Sequence, residues 1–235
     1  VLINLSPADV RKLGTAYDLP IAIGRMVLLK LVEEQLLSKY IIMGELSLDG
    51  EIRSIKGALP IALEAKKPGF KGIILPSDNA EEAAIVEGLE VYGMSHLKEV
   101  VSFLNGQFRE PIAFKGFEDL SETEMEGMDF SDVKGQANVK RAMEIAAAGS
   151  HNVVLIGPPG AGKTMLARRL PSILPSLTMK EALETTKIHS VSSKTNRHKG
   201  LVSIRPFRSP HHTISDVALV GGGVNPTPGE ISMAH

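Results

Sequence analysis

The stretch GPPGAGKT, Gly157–Thr164, constrains this 235-residue chain more than any other feature. It fits the pattern of a glycine, four free positions, then Gly-Lys and a Ser or Thr. An apolar run, Asn152–Ile156, precedes it, and Lys163–Leu170 reads as a helix stopped before Pro171. A short, wholly apolar run of this kind suits a strand buried in a parallel sheet. Strand, glycine-rich loop and helix in that order specify an α/β phosphate-loop unit.

Each residue type meets a physical demand. Gly157, Gly160 and Gly162 let the backbone wrap closely and reach conformations closed to other residues. The loop N–H groups then point inward at an anion, and the helix beginning near Lys163 adds the positive end of its dipole. Pro158, Pro159 and Ala161 complete the loop, and Met165 follows it into the helix. Lys163 is expected on the β- and γ-phosphates and the Thr164 hydroxyl on magnesium. The expected ligands are ATP and Mg2+, although the loop alone does not separate ATP from GTP.

The length allows one large or two small domains. Hydrophobic residues at 43% and charged residues at 23% give an ordinary globular balance. The chain has no Cys, which excludes disulfides, thiolate metal sites and a Cys nucleophile. It holds no apolar run of about 18 residues and no signal peptide, so no membrane partner and a cytoplasmic location are expected. It opens without Met in VLINLS and closes on GEISMAH, and reads as a piece of a longer protein.

Before the loop, the pattern alternates strands and helices. Strands are expected at Val1–Leu5, Tyr40–Leu46, Glu51–Ile55, Lys71–Leu75 and Leu89–Tyr92, with a tight turn at Asp49-Gly50. Helices are expected at Asp18–Leu37, with Asp18 as cap and Pro20 early, at Gly57–Lys67, and at His96–Leu104. A further short helix opens on Asp78-x-x-Glu81, which resembles a capping box. Residues 109–128, with their acids and lack of period, read as a linker. Gln136–Ala148 presents Val139, Ala142, Met143, Ala146 and Ala147 on one helical face.

The net charge of −1 hides an asymmetry: residues 185–235 carry six basic and two acidic side chains, against 12 and 15 in residues 1–110. Thr185–Ser215 holds six Lys or Arg, four His and no acid. It suits either phosphate-backbone contact or a solvated surface loop. Phe207 is its one aromatic, so electrostatic contact, not base stacking, is the DNA chemistry on offer. His211 and His212 invite a metal, but adjacent residues of an extended chain face opposite ways and no carboxylate completes a known spacing. Arg208 and the His pair are alternatively contacts to a neighbouring subunit or DNA. Gly221-Gly222-Gly223 lacks the strand–helix context of a second nucleotide loop.

Two resemblances extend this reading. Asp129–Gln136 resembles the segment that opens an AAA+ module beside the adenine, which implies that Val133 and Gly135 lie near the base; a simple helix entry capped by Asp or Ser is the alternative. The stretch RPFRSPHHTISDVALVGGGVNPTPGEISMAH, with HNVVLIGPPGAGKTMLARRLPSILP, closely resembles the magnesium-chelatase-like AAA+ family in its YifB/ComM branch. That resemblance covers essentially the whole chain. It implies a ring of subunits, a hexamer, that couples ATP hydrolysis to DNA remodelling such as branch migration in natural transformation. The alternatives are a magnesium-chelatase-type motor without DNA, and a nucleotide-controlled protein that remodels or recruits a partner.

Residues 1–108 resemble the Lon-protease domain, a ribosomal-S5-like α/β fold, through GELSLDGEIRSIKGALPIALEAKKPGFKGIILP and LEVYGMSHLKEVVSFL. Lon uses a Ser–Lys dyad. Here Asp18 and Ile61 stand at those positions, so no peptidase activity is expected, and Ser6, Ser38, Ser47 and Ser54 have no placeable Lys. The expected organisation is a dyad-less Lon-like domain at 1–108, a linker at 109–128, and the front of an AAA+ domain at 129–235. No apolar run ending in Asp-Glu, the Walker B pattern, follows Thr164, and no sensor or arginine finger is assigned; these are expected beyond this piece, which is itself expected to bind ATP.

Overall fold

The computed structural model describes residues 15–114, 128–192, 200–223 and 226–234. The expected strand Val1–Leu5, Ser6 and the middle of the expected linker lie outside the described residues. The described residues form two compact units, one within Val1–Phe114 and Thr186–Leu201, the other within Lys115–Thr185 and Val202–His235.

The first unit is built on a parallel sheet of β1 (Tyr40–Ile42), β4 (Gly72–Pro76) and β5 (Glu90–Met94), in the order β1-β4-β5. All five residues of β4 are buried, as expected of a central strand covered on both faces. Tyr40 lies opposite Gly72, and Gly72 opposite Glu90. Helices α1 (Asp18–Leu28), α2 (Ala58–Lys66), α3 (Ser77–Ala83) and α4 (Leu97–Leu104) belong to this unit. Its core gathers Leu19 and Ile23 of α1 with Ile74, Tyr92, Met94 and Phe103. Tyr40 packs edge-on against Tyr92 and Phe103 at ring separations of 5.7 and 5.5 Å, and Tyr92 lies tilted against Phe103 at 4.4 Å.

Several local expectations are corrected. Helix α1 ends at Leu28, not Leu37, because Lys30 turns to a φ of +56°. Beyond that turn, Leu31 is exposed while Val32 is buried in the core, so the apolar run reaches the core without continuing the helix. Asp18 does not cap α1; Tyr17 holds the cap position without a side-chain bond, and Asp18 lies in the first turn. The Asp78–Glu81 box does not form, since Pro76 precedes α3 without a side-chain cap. Instead Asn79, half an amide donor and half an acceptor, accepts from Ile55 N at 2.8 Å and donates to Ile55 O at 2.9 Å. The Asp49-Gly50 hairpin does form, between β2 (Glu45–Leu46) and β3 (Ile52–Arg53), with Gly50 at a φ of +93°.

The second unit holds a 3₁₀ turn at Phe130–Asp132, α5 (Ala137–Ala148), α6 (Lys163–Arg169), a 3₁₀ turn at Leu170–Ile173 and the start of α7 (Met179–Val191). It continues through α8 (Asp216–Val220), a ribbon of β6 (Gly221–Gly222) and β7 (Thr227–Pro228), and α9 (Glu230–Met233). Phe130, Val133, Met143 and Leu166 form its core, with Val139, Leu155, Leu170 and Ile173 against them. Asn152–Ile156 is not a sheet strand: Val154 is 81% and Ile156 93% exposed, and Leu155 alone reaches the core. A parallel strand needs neighbours to take its backbone bonds, and among the described residues of this unit the two-stranded ribbon is the sole sheet.

Candidate nucleotide-binding site

Gly157–Thr164 leads directly into α6, with Gly162 as the residue before it. Gly160 and Gly162 have φ values of +79° and +78°, a region that L side chains rarely enter. A Cβ on Gly162 would meet only Met165 Cε, in ordinary contact at 3.4 Å, so the positive φ is what calls for glycine there. Ala161 N donates to Pro158 O at 3.3 Å, which closes the turn. Pro158, Pro159, Gly160, Thr164 and Met165 are exposed.

Lys163 folds back over the loop. Its Nζ donates to Gly157 O and to Pro158 O, each at 2.7 Å. Among the described residues, the N–H groups of Lys163, Thr164 and Met165 find no acceptor in the protein, as the first turn of a helix requires. A cation over a glycine-rich turn, three outward N–H donors and an adjacent hydroxyl form a donor set suited to a polyphosphate and its metal.

The segment expected beside the base is tied to the far end of the same helix. Asp129 caps the 3₁₀ turn: its Oδ1 accepts from Ser131 N at 2.6 Å, and its own N donates to Asp132 Oδ2 at 3.2 Å. Ser131, through its hydroxyl and then its N–H, holds the Asp129 carboxyl below the usual range. Val133 is 1% exposed and shares a core with Leu166 of α6 and Leu155 before the loop. Gly135 has a φ of +69° and open space where a Cβ would stand. The structure thus gathers the loop, α6 and Val133 in one unit. Arg169 and Ser172, unmarked by any motif, bind this segment from 40 and 42 positions away. No local pattern signals such bonds.

The Arg205–His235 signature is partly consumed by structure. Arg205 Nε donates to Pro175 O at 2.8 Å, and its Nη2 reaches Glu181 Oε1 at 3.2 Å. Glu181 caps α7 with Thr178, accepting from Thr178 N at 2.8 Å and Thr178 Oγ1 at 2.9 Å. Those bonds, the N–H first, with Arg205 behind them, hold its carboxyl down at about 2. Arg208 Nε donates to Glu230 Oε2 at 2.6 Å, and this raises the guanidinium above its ordinary value.

His211 and His212 do not face apart as an extended chain would require. A turn brings their rings within 4.1 Å, and His211 Nδ1 lies 2.8 Å from Thr213 Oγ1. Among the described residues, no three His, Asp or Glu side chains gather as a metal site, and no helix is long and apolar enough to cross a membrane. Residues 193–199 of the basic stretch lie outside the described residues. In the first unit, Asp18 opens α1 and Ile61 sits on α2; Asp18 lacks a serine hydroxyl and Ile61 cannot take a proton. Ser38 and Ser54 are exposed, and the Ser47 hydroxyl donates within its own turn to Asp49 and Glu51.

Known proteins are similar to this chain. Residues 129–235 match the family described as magnesium chelatase, subunit ChlI, and residues 1–79 match the subunit ChlI of Mg-chelatase. The chain is 43% identical over 238 residues to the competence protein ComM of Haemophilus influenzae, and 45% identical over 237 residues to YifB of Escherichia coli. Each match covers 100% of this chain and 46% of the relative, so the chain spans about half the length of these curated relatives. An archaeal Lon protease of Archaeoglobus fulgidus is 31% identical over 96 residues, 41% of this chain and 15% of that protein. The chain therefore belongs to the magnesium-chelatase-like AAA+ family that includes ComM and YifB.

Proposed function

We propose that this chain is the nucleotide-holding portion of an ATP-driven motor that works as a hexameric ring on DNA. The observation that carries the nucleotide site is Lys163, poised over left-handed Gly160 and Gly162 beside three N–H groups without acceptors. In this reading Gly157–Thr164 and Met165 hold the phosphates, and Val133 and Gly135 flank the base. Lys163 turns from the loop carbonyls to the β- and γ-phosphates, and the Thr164 hydroxyl would hold Mg2+. When bound, the metal neutralises charge on the phosphates. Residues 1–108 form the Lon-like domain and residues 129–235 the AAA+ part. With Asp18 and Ile61 at the dyad positions, the Lon-like domain cleaves no peptide.

Support for DNA comes from the basic Thr185–Ser215 stretch and from relatives named a competence protein and, over 84 residues, a DNA repair protein. The family description favours a second reading, a chelatase-type motor that acts on a partner enzyme. ATP turnover by the full-length protein, alone and with single-stranded or branched DNA, separates them. Stimulation by DNA that disappears in Lys163→Ala supports the DNA motor. Turnover indifferent to DNA favours the second reading. Absence of turnover under every stimulus favours a nucleotide-controlled recruiter.

A further inference from the structure

The helix that follows the glycine-rich loop reaches the segment Asp129–Asp132 through two side chains, Arg169 and Ser172. Arg169, the last residue of α6, is 18% exposed at its side chain. Its Nε donates to Asp129 O at 3.1 Å, its Nη2 lies 3.5 Å from Asp132 Oδ2, and its Nη1 donates to Met165 O at 3.4 Å. One turn on, Ser172 Oγ accepts from Phe130 N at 3.0 Å while donating to Arg169 O at 2.8 Å. The whole 3₁₀ turn Phe130–Asp132 is therefore gripped from the end of the helix that Lys163 begins. Beneath the grip, Phe130 and Val133 pack on Leu166.

We propose that Arg169, with Ser172, is a positioning residue that couples base recognition to phosphate recognition. The inference rests on the nucleotide-site reading above and adds a division of labour within it. Helix α6 is a strut about 9 Å long between Lys163 and Arg169, at 1.5 Å per residue. Its first turn faces the phosphates and its last holds the chain that leads to Val133 and Gly135. The bond to the Asp129 carbonyl dominates: a mostly buried guanidinium donates there. The contact with Asp132 is long, and the Asp132 side chain is 53% exposed, so it adds little. Without Arg169, the loop and Lys163 remain intact, but the segment beside the base loses its anchor. Binding of the phosphates should survive and binding of the base should not.

The test is calorimetric binding of Mg-ATP and of Mg-tripolyphosphate to the full-length protein. Arg169→Ala should weaken ATP about tenfold, the loss of one charge-assisted bond, and leave tripolyphosphate within about twofold. Arg169→Lys should stay weak for ATP, because an ammonium lacks the planar fork that spans the Asp129 and Met165 carbonyls together. Ser172→Ala should show the same split at smaller size, and it decides the matter if Arg169→Ala does not fold. Exposed Arg168, changed to Ala, should alter neither affinity. Equal loss of both ligands in Arg169→Ala or Ser172→Ala, or no loss of ATP, overturns the coupling. Wild-type protein that binds neither ligand overturns the nucleotide-site reading itself, a different outcome.

Discussion

Lys163 Nζ lies 2.7 Å from Gly157 O, six residues earlier, so the loop's cation is already held at the mouth of the loop by the loop's own backbone. Exchange of these neutral carbonyls for phosphate oxygens is favourable because the new acceptors carry charge. Lys163→Ala should weaken Mg-ATP binding about tenfold to a hundredfold. Since the bonds it makes are exposed, stability should change by less than about 0.5 kcal/mol. Titration with a fluorescent ATP analogue, beside a thermal melt, checks both.

The Arg208–Glu230 pair is a stability element of the second unit. Its side chains are 30% and 11% exposed, so removal of either leaves a partly desolvated charge. Glu230→Ala should cost about 1–3 kcal/mol in urea unfolding. In a double-mutant cycle with Arg208→Ala, the two losses should fall short of adding, by about 0.5–2 kcal/mol. Strict additivity would show that the 2.6 Å contact contributes nothing.

Acid should loosen the start of α7. Glu181 has its folded value lowered from 4.5 to about 2 by Thr178 and Arg205. For a depressed carboxylate, the stabilisation is complete above the unfolded value and is lost as pH falls through the folded one. The window therefore runs from pH 4.5 down to about 2. Glu181→Gln should lower helix content near neutrality. Circular dichroism should show its difference from wild type closing across that window, and a constant difference would rule the cap out as the cause.

Gly72 is fixed by its neighbour strand. A Cβ there would lie 2.3 Å from the Glu90 carbonyl oxygen and 3.0 Å from the Tyr40 ring. Gly72→Ala must push β4 and β5 apart, and should destabilise the first unit by about 1–3 kcal/mol. Chemical denaturation followed by far-ultraviolet circular dichroism measures it; an unchanged midpoint would contradict the register Gly72 opposite Glu90.

Local chemistry was the legible part of the sequence. The left-handed Gly160 and Gly162, the Asp49-Gly50 hairpin and most elements of the first unit follow from glycine positions and periodicity. The break of α1 at Lys30 was not legible, because a lysine in a left-handed turn carries no breaker signature. The Asn152–Ile156 run looked like a strand because periodicity reports apolarity, not the presence of pairing neighbours. The Thr178-x-x-Glu181 box was present to be read; Arg169 on Asp129 and Arg208 on Glu230 were not, since 40 and 22 positions separate the partners.

The aromatic cluster on the parallel sheet has a practical side. The chain contains no Trp and three Tyr, at positions 17, 40 and 92, all in the first unit. Tyr40 and Tyr92 are each 5% exposed and donate to the same Glu90 carboxylate. Tyrosine emission of the unlabelled chain, excited near the tyrosine band, thus reports on the first unit. A single tryptophan placed at Phe207, 41% exposed in the second unit, would give that unit a separate colour, so the melting of each could be followed in one cuvette.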